Sequence, residues 1–511
     1  MKNYKEKIAF RVDASNLIGT GHLMRCITLA DGLKQKGRRT RFVSRNLPDY
    51  LCSMLKEKKH EVAQLPSSVS NIASDDLKHS SWLECEQEQD AVDTANALGG
   101  ETWDWIVVDH YALDHRWESM LRHVAKKVMV IDDLADRRHD CDVLLDQNLY
   151  VDMQGRYAGK VSANCKLLLG PQYALLRNEF GVLHKVVKPR IGDVKRILVF
   201  FGGVDADNYT GHAIEALSRL AIDKFHIDIV IGAQHPCRER IIELCSAYNF
   251  RCHVQTNQLA ELMAAADLSI GAGGVASWER CCVGLPSIVF CLAENQRELI
   301  EDAAQLGLIY APEVGEDLTY AIETHTLALV ENSNLRNFMS RNGMDVVVGQ
   351  GLSMVLMSLA IVDIEIKEAT LADSENLFCW RNHPEIRKFS RDNSVLDWSD
   401  HQRWFFAVLE DPQRVLLIGR APDGAPIGVV RFDMQNNEAE ISIYLVPDKL
   451  TSGLGRSLLL SAEQWLAKSY PNISQIKAYI LNKNKRSSML FSRSDYQIES
   501  TLYSKSLHSN D

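Results

Sequence analysis

Strand-like and helix-like segments alternate along the first part of the chain, and this alternation is the feature that most restricts its fold. Between Ile8 and about Asn148, buried strands are indicated by the apolar runs TRFVSR, WDWIVVDHY and VMVIDDLA, with helical patterns between them. Apolar strands that alternate with helices form a parallel sheet covered on both faces. Such sheets bind ligands beyond the carboxyl ends of their strands. The pattern predicts an α/β domain over residues 1–165.

The alternation restarts after a connecting segment that contains Pro171 and Pro189. The new strand-like segments are RILVFFGGVDADN, HIDIVIG, LSIGAGG and PSIVFCL, and the pattern of 328–360 is helical. We therefore expect a second α/β domain over residues 166–355 and a cleft between two Rossmann-like domains. A chain of 511 residues has room for three or four domains in all.

A different pattern begins at about residue 362 and continues to 511. Two strands joined by a turn are indicated by RVLLIGRAPDGAPIGVVRFD, and further strands by EAEISIYLV and QIKAYIL. Mixed strands with few helices are typical of a separate α+β domain. The predicted fold class is thus α/β: two Rossmann-like domains followed by an α+β domain.

His22 lies on the predicted turn between the first strand and the first helix, in the stretch IGTGHLMRCITLADGL. The positive end of a helix disfavours imidazolium, so a histidine there stays neutral and can accept a proton. Gly19 and Gly21 would let a substrate approach it closely. A lone histidine is more often structural, but this position favours catalysis.

Two glycine-rich turns follow strands in the second predicted domain. In FGGVDADN, Gly202 and Gly203 would let the backbone approach a phosphate, although a tight turn explains them equally well. In IGAGGVASWERCC, Gly273, Gly274 and Ser277 precede or open a helix. Glu279 could accept hydrogen bonds from both hydroxyls of a ribose, or serve only the helix dipole. The repetition of these turns favours a nucleotide site.

A third glycine-rich loop, SGLGRSLLL, precedes a helix in the last predicted domain. The backbone N–H groups after Gly453 and Gly455 could hold a pyrophosphate. The acidic residue that binds ribose in a dinucleotide fold is not apparent, and the preceding strands read as antiparallel. Coenzyme A therefore fits better than NAD, although a plain helix start remains open.

Composition excludes several classes of function. The net charge of −10 argues against a general nucleic-acid-binding protein. The 12 cysteines include no CxxC pair, which indicates reduced thiols. The first residues lack the apolar core of a signal peptide, and no apolar stretch is long enough to span a membrane. We expect a cytoplasmic chain with no membrane or nucleic-acid partner; its oligomeric state is left open.

Several ordered motifs in residues 1 to about 350 carry a resemblance to a known family. They are RVDASNLIGTGHLMRCITLADGL, VVDHYALD, IDDLADRRHDCDVLLDQN, GPQYALLRNEF, FGGVDADN and GAGGVASWERCCVGLP. This half resembles the UDP-sugar hydrolases of pseudaminic acid biosynthesis, whose glycosyltransferase-B-like fold is related to the MurG family. The resemblance implies metal-independent hydrolysis of UDP-2,4-diacetamido-2,4,6-trideoxy-β-L-altropyranose to UDP and the free sugar.

The same resemblance implies a set of site residues. His22 matches the catalytic histidine, and Asp13, Tyr111 and Asn148 would line the sugar side. The UDP side would comprise Gly202, Gly203, Gly273, Gly274, Ser277 and Glu279, with Asn295 and Gln296 as further ligand contacts. Direct attack of water, activated by His22, would invert the anomeric configuration. No metal site is expected.

Residues from about 363 onwards resemble GCN5-related N-acetyltransferases, closest to the one that acts on the 4-amino sugar of the same pathway. The motifs are WRNHPEIRKFS, HQRWF, GVVRFD, SGLGRSLL and NKNKRSSMLFSRSDY. The resemblance implies acetyl-CoA as co-substrate, bound by Gly453, Gly455, Arg456 and Asn484, with Tyr496 as general acid. Acetylation of the 4-amino group would then produce the substrate of the hydrolase.

Three alternatives stay open at this stage. One is a protein that binds a nucleotide sugar without turnover. A glycosyltransferase would use the same cleft, with an acceptor hydroxyl in place of water. The loop motif departs from the family at Leu450, and SRSDY replaces its usual end, so the last domain could be a non-catalytic module that binds coenzyme A.

Overall fold

The computed structural model describes residues 6–15, 18–67, 75–220, 224–292, 296–313, 317–359, 364–390, 392–421, 424–449, 454–481, 483–492, 494 and 496–499. The chain forms two compact units, Met1–Val355 and Leu356–Asp511. Two predicted site residues, Asn295 and Gly453, lie outside the described residues.

The first unit begins with a parallel sheet of order β3-β2-β1-β4-β5-β6-β7. Its strands are Lys7–Val12 (β1), Arg39–Ser44 (β2), Glu61–Gln64 (β3), Trp103–Asp109 (β4), Ala125–Ile131 (β5), Val143–Asp146 (β6) and Lys166–Leu169 (β7). Its helices are Gly21–Gln35 (α1), Asp49–Glu57 (α2), Gln87–Ala97 (α3), His115–Met120 (α4) and Met153–Arg156 (α5). The domain boundary predicted at 165 lies directly before β7, which pairs with β6 and belongs to this sheet.

Apolar runs without alternation explain why this sheet is parallel and covered on both faces. In β1, Ala9 packs into a core with Trp103 and Trp117, whereas Phe10, from the opposite face of the sheet, stacks on Phe42. Both residues are fully buried, as expected of a strand that helices cover on each side.

A second parallel sheet follows in the same unit, with the order β10-β9-β8-β11-β12. Its strands are Arg196–Phe200 (β8), His226–Ile231 (β9), Arg251–Val254 (β10), Leu268–Ala272 (β11) and Ser287–Phe290 (β12). The helices before and around it are Asn178–His184 (α6), Tyr209–Arg219 (α7), Arg238–Ala247 (α8), Leu259–Ala265 (α9), Val275–Cys282 (α10) and Arg297–Gln305 (α11). The helices Leu318–Glu331 (α12), Ser333–Val346 (α13) and Gly351–Ser358 (α14) follow.

The second unit is built on a mixed sheet of order β13-β14-β15-β16-β17. Its strands are Glu365–Glu368 (β13), Arg414–Arg420 (β14), Pro426–Gln435 (β15), Glu438–Leu445 (β16) and Gln475–Ala478 (β17). Its helices are Ser374–Asn382 (α15), Pro384–Arg387 (α16), Trp398–Glu410 (α17), Gly455–Ser469 (α18) and Lys485–Ser492 (α19). Neighbouring strands are antiparallel except for β16 and β17, which run parallel.

The fold class predicted from the sequence is confirmed: two Rossmann-like sheets in series, followed by an α+β domain. In each Rossmann-like sheet the strand order reverses at one point, between β1 and β4 and between β8 and β11. Ligands of such sheets bind at these reversal points, beyond the carboxyl ends of the strands. None of the helices in the described ranges is long and apolar enough to cross a membrane.

Candidate functional site

The turns after β1 and β4 bring the predicted catalytic histidine to a reversal point of the first sheet. His22 is the second residue of α1, close to the exposed N–H groups at the start of that helix. Asp109 is the last residue of β4, which pairs directly with β1. Neighbouring parallel strands end at the same edge of a sheet, so two residues far apart in sequence meet here.

His22 and Asp109 form a close pair. Nδ1 of His22 lies 2.5 Å from Oδ1 of Asp109, and the carboxylate is fully buried. Arg25 Nη2 is also 3.1 Å from Nδ1, but the shorter contact is with a carboxylate that can only accept. Nδ1 therefore carries the proton and donates a hydrogen bond to Asp109. The lone pair of Nε2 is then the basic position of this imidazole.

Arg25 lies one helical turn after His22 and joins two carboxylates. Its Nε and Nη2 donate to Asp109 at 2.6 and 2.7 Å, and its Nη1 donates to Asp133 at 3.0 Å. Burial alone would raise the pKa of Asp109, but the charge of Arg25 and the hydrogen bonds from Arg25 and His22 hold that pKa well below its usual range. Asp109 is thus ionised whenever His22 can act as a base.

Tyr111 forms the next part of this wall. Its hydroxyl donates to Asp133, and its ring packs edge-on against His22 with 4.6 Å between ring centroids. Burial, together with the charge of Asp133, raises the pKa of Tyr111 well above its usual range. Trp82 stacks on the ring of Tyr111, with 5.5 Å between the ring centroids. It is the last residue of a short helix, Ser80–Trp82.

These side chains line a cavity of about 230 Å³ within the first unit. The lining residues come from both Rossmann-like parts: Ile18, Gly21, His22, Arg25, Trp82, Tyr111, Asp133, Leu134, Gln147, Asn148, Tyr150, Gly274, Val275, Gln296 and Leu299. The predicted residues that meet here are Gly21, His22, Tyr111, Asn148, Gly274 and Gln296. Asn148 reaches both sides, because its Oδ1 accepts from Trp278 Nε1 at 3.1 Å and its Nδ2 lies 3.4 Å from Asp133.

Asp13 does not line the cavity, and its expected place on the sugar side stays a prediction. It is fully buried and forms an ion pair with Arg11 at 2.8 Å and a contact with His110 at 3.2 Å. It also accepts hydrogen bonds from the backbone N–H groups of Arg45 and Asn46. These contacts hold the turn after β1 in place from behind. Gly19 is also absent from the lining; its φ of +78° forms the turn before His22.

The glycine turns of the second sheet lie at its own reversal point. Gly202 has φ +107°, and a side chain at Gly203 would have as its nearest contact Thr20, at 4.0 Å, from the turn before His22. A Cβ at Gly273 would lie 2.9 Å from the Cδ1 atom of Ile300, so that side chain would have to shift. Gly274 has φ +87° and directly precedes α10. Gly202, Gly203 and Gly273 border the cleft without lining the cavity.

Ser277 and Glu279 lie in α10 and also do not line the cavity. The Ser277 hydroxyl accepts from Arg280 at 3.1 Å, and Arg280 also donates to the carbonyl of Ala272 at 2.6 Å. The Glu279 side chain is 13% exposed and lies 3.5 Å from Arg177. Burial raises the pKa of Glu279 although Arg177 opposes this. Glu279 therefore has a cationic partner within its own protein.

Three of the lining residues that the sequence did not single out belong to the group around His22 and Tyr111. Arg25 follows His22 by three positions, so helical spacing alone could have placed it beside the histidine. Asp133 lies at a predicted strand end, like several other acids, and only the fold selects it. Trp82 carries no signal in the sequence, because a short helix outside the regular alternation brings it to the cavity.

In the second unit, α18 begins at Gly455, and Arg456 lies in its first turn. The parallel pairing of β16 with β17 covers only Glu438–Ile441 of β16, so the rest of that strand has no partner on this side among the described residues. An open strand edge and a helix N-terminus are features that fit an extended ligand with a pyrophosphate. The residues present are compatible with acetyl-CoA.

Asn484 and Tyr496 have definite local roles. The Asn484 side chain accepts from the backbone N–H of Ser487 at 3.1 Å and so caps α19. The Tyr496 hydroxyl donates to Glu463 of α18 at 2.8 Å, and its ring packs on Phe491. Burial raises the pKa of Tyr496, and the hydrogen bond to the Glu463 carboxylate raises it further.

In the described part of the chain, no group of three or more His, Cys, Asp or Glu side chains is arranged to hold a metal ion. Metal-independent hydrolysis stays a prediction.

Comparison with known proteins agrees with the two resemblances seen in the sequence. The family model of the acetyltransferase (GNAT) domain matches residues 363–497. Over 123 residues, the chain is 25% identical to the acetyltransferase PseH of Campylobacter jejuni, covering 24% of this chain and 75% of that protein. The predicted resemblance of this part to N-acetyltransferases is confirmed, and this domain implies acetyl-CoA as co-substrate.

The first unit has its own relative. Over 259 residues, the chain is 23% identical to the UDP-2,4-diacetamido-2,4,6-trideoxy-β-L-altropyranose hydrolase of C. jejuni, covering 50% of this chain and 81% of that protein. A protein of Methanocaldococcus jannaschii named uncharacterized protein MJ1062 is 23% identical over 509 residues, or 95% of both chains. The resemblance to a hydrolase joined to an acetyltransferase is thereby confirmed.

Proposed function

We propose that the first unit hydrolyses UDP-2,4-diacetamido-2,4,6-trideoxy-β-L-altropyranose to UDP and the free sugar, and that the second unit acetylates the 4-amino precursor of this substrate. The observation that carries the proposal is the His22–Asp109 pair, whose contact distance is 2.5 Å, on the wall of a cavity that Gly274 closes from the other side. A histidine paired with a buried carboxylate and a glycine turn before a helix thus belong to one cavity, which supports the proposal.

In the proposed hydrolysis, Nε2 of His22 accepts a proton from water as the water oxygen bonds to the anomeric carbon. The bond between that carbon and the UDP oxygen breaks, and UDP leaves with the electron pair. Asp109 stabilises the imidazolium that forms. Attack by water on the face opposite UDP inverts the configuration.

The nucleotide would lie against the second sheet. Backbone N–H groups would approach the diphosphate at the turns that contain Gly202, Gly203, Gly273 and Gly274. The partial positive charge at the start of α10 would stabilise the negative charge that develops on UDP. Glu279 would accept from the ribose hydroxyls by exchanging its contact with Arg177. Ser277, Asn295 and Gln296 complete this side of the proposal.

In the second unit, the N–H groups at Gly453, Gly455 and Arg456 would hold the pyrophosphate of acetyl-CoA, whose chemistry is acetyl transfer. Asn484 would act by holding α19 beneath the ligand. Tyr496 would supply a proton to the departing thiolate after turning from Glu463, and its raised pKa keeps the phenol protonated for this role.

The test is to incubate the protein with the UDP-linked 4-amino sugar and acetyl-CoA and to follow the products by mass spectrometry and NMR. We expect the acetylated free sugar and UDP. Acetylated UDP-sugar without release of UDP would overturn the hydrolase, and release without acetylation would overturn the transferase. Formation of the free sugar without an added acceptor would exclude a glycosyltransferase.

The variant His22→Ala tests whether His22 is the base that accepts the proton of the attacking water. We expect loss of UDP release by about 100-fold or more, because the base is gone, while UDP still binds in calorimetry. Acetyl transfer by the same variant is the internal control and should be unchanged. UDP release at the wild-type rate would contradict the role of His22.

A further inference from the structure

Trp278 satisfies its buried indole N–H with a side chain from another part of the first unit, rather than with a carbonyl of its own neighbourhood. The residue lies in α10, is fully buried, and its indole Nε1–H donates to the Asn148 side chain at 3.1 Å. Asn148 follows β6 of the first sheet, so this bond joins a helix of the second Rossmann-like part to a loop of the first. Asn148 lines the cavity, whereas Trp278 does not.

The partners of Asn148 determine which way its amide faces. An indole N–H can only donate, so the atom opposite Trp278 is the amide oxygen. The atom that lies 3.4 Å from the acceptor-only carboxylate of Asp133 is then the nitrogen, Nδ2. The Asn148 backbone N–H is held by Asp146 at 3.0 Å. The amide therefore directs its N–H donors to the side of Asp133 and Tyr150, two lining residues of the cavity.

Contacts continue from Asp133 to the histidine. Arg25 donates to Asp133 at 3.0 Å and to Asp109 at 2.6 and 2.7 Å, and Asp109 holds His22 at 2.5 Å. The same helix α10 that carries Trp278 begins directly after Gly274, a lining residue of the cavity. One rigid element thus borders the nucleotide side and contacts the histidine network.

We propose that Trp278 is a positioning residue: its indole N–H fixes the Asn148 amide so that the amide donors face Asp133 and a sugar oxygen in the cavity. This inference rests on the proposed hydrolysis in the first unit. It implies that the sugar presents an acceptor, a hydroxyl or an amide carbonyl, to Asn148. Without the indole N–H, the amide loses the shorter of these two side-chain contacts, and only the 3.4 Å contact with Asp133 still favours its orientation, so the amide is less firmly held.

The first test is Trp278→Phe, which removes the N–H and keeps an aromatic ring. We expect kcat for UDP release to fall about tenfold, while the affinity for UDP stays within about twofold of wild type. The matched control is Trp103→Phe, because Trp103 is also fully buried and its N–H bonds only to the Leu98 carbonyl at 3.2 Å. An unchanged kcat in Trp278→Phe, or an equal loss in Trp103→Phe, would overturn the proposal.

A double-mutant cycle separates positioning from packing. If Trp278 acts through Asn148, Trp278→Phe should cause no further loss of kcat in the Asn148→Ala background. A purely structural effect of the smaller ring would add to the effect of Asn148→Ala. Additive losses in the double variant would therefore contradict the proposal.

A readout without turnover keeps this inference separate from the proposed function. In protein labelled with 15N-indole tryptophan, the Trp278 signal is the one that Trp278→Phe removes. Asn148→Ala should shift that signal and leave the Trp103 signal in place. If wild type releases no UDP, the proposed hydrolysis fails on its own. An unshifted Trp278 signal would overturn the positioning role whatever the activity.

Discussion

At the residue scale, the charge on Asp109 decides what His22 can do. The Asp109 carboxylate is buried beside Arg25, which keeps it ionised. It therefore accepts a hydrogen bond from the Nδ1–H group of His22. This hydrogen bond favours the tautomer in which Nδ1 carries the proton, and in the proposed hydrolysis Nε2 is then the base. Loss of the carboxylate charge would remove this preference and leave the shape of the site unchanged.

Asp109→Asn tests this dependence. We expect kcat for UDP release to fall about 100-fold or more, because the amide no longer selects the active tautomer or stabilises the imidazolium. The matched control is Asp132→Asn, since Asp132 is equally buried, pairs with Arg137 at 2.9 Å and lies outside the lining of the cavity. Stopped assays of UDP release measure both variants, and equal losses in the two would contradict a specific role for Asp109.

Tyr496→Phe tests the proposed general acid of the second unit. The variant removes the phenolic proton and keeps the ring that packs on Phe491. We expect acetyl transfer to slow by about 100-fold, with acetyl-CoA affinity unchanged in calorimetry. Transfer at the wild-type rate would show that the hydroxyl serves only its hydrogen bond to Glu463.

At the scale of elements, the turn from β11 to α10 depends on a backbone shape that only glycine adopts without strain. Gly274 has φ +87° and ψ −158°, although a side chain there would meet nothing closer than Gln296 at 3.9 Å. Conformation rather than space therefore requires glycine. Gly274 and Val275, at the start of α10, both line the cavity.

Gly274→Ala should weaken UDP binding about tenfold, because the backbone would move to relieve its strain and the first N–H groups of α10 would turn away from UDP. The strained backbone at an alanine in this position would also lower the free energy of unfolding by about 1–3 kcal/mol. The matched control is Gly192→Ala, since Gly192 has φ +91°, open space around it and no place in the cavity lining. Calorimetry with UDP and urea unfolding distinguish the two. UDP affinity equal to wild type in Gly274→Ala would argue against this turn as the diphosphate site.

At the scale of the whole molecule, a buried acid makes stability depend on pH. Asp146 is 2% exposed, and burial, with the charges of Asp133 and Asp132, raises its pKa to about 8. In the unfolded chain the same carboxyl has a pKa of about 3.9. Between these values the folded state holds a proton that the unfolded state has lost, so this group reduces stability as pH rises.

Asp146→Asn should remove that dependence. The amide resembles the protonated acid, so the variant should match wild type near pH 4 and exceed it by a growing margin in free energy of unfolding as the pH rises to 8. Burial lowers the pKa of His139, but Glu118 and Asp132 outweigh this effect and raise that pKa to about 9. His139 is present in both proteins, so its contribution to the pH dependence cancels in the difference between them. Urea unfolding across this pH range measures it, and a difference that does not grow with pH would contradict the prediction.

Much of this arrangement was predictable from local pattern. The alternation of apolar runs predicted both parallel sheets, and the strand-turn-helix spacing predicted that His22 lies at the start of α1. Asp13 shows where such reasoning stops. It lies at a strand end like Asp109, but its neighbours Arg11, His110 and the backbone of Arg45 enclose it. Sequence position cannot tell which side of a turn a side chain faces.

The sequence by itself determined the fold class, the order of the domains and the turns that carry glycine, because these depend on periodicity and backbone conformation over a few residues. Only the tertiary structure decided which polar groups meet. Strand order brings Asp109 beside His22, and a short helix outside the regular pattern brings Trp82 to the same cavity. The bond from Trp278 to Asn148 joins residues 130 positions apart. Such contacts depend on how strands and helices pack, and no local pattern encodes that.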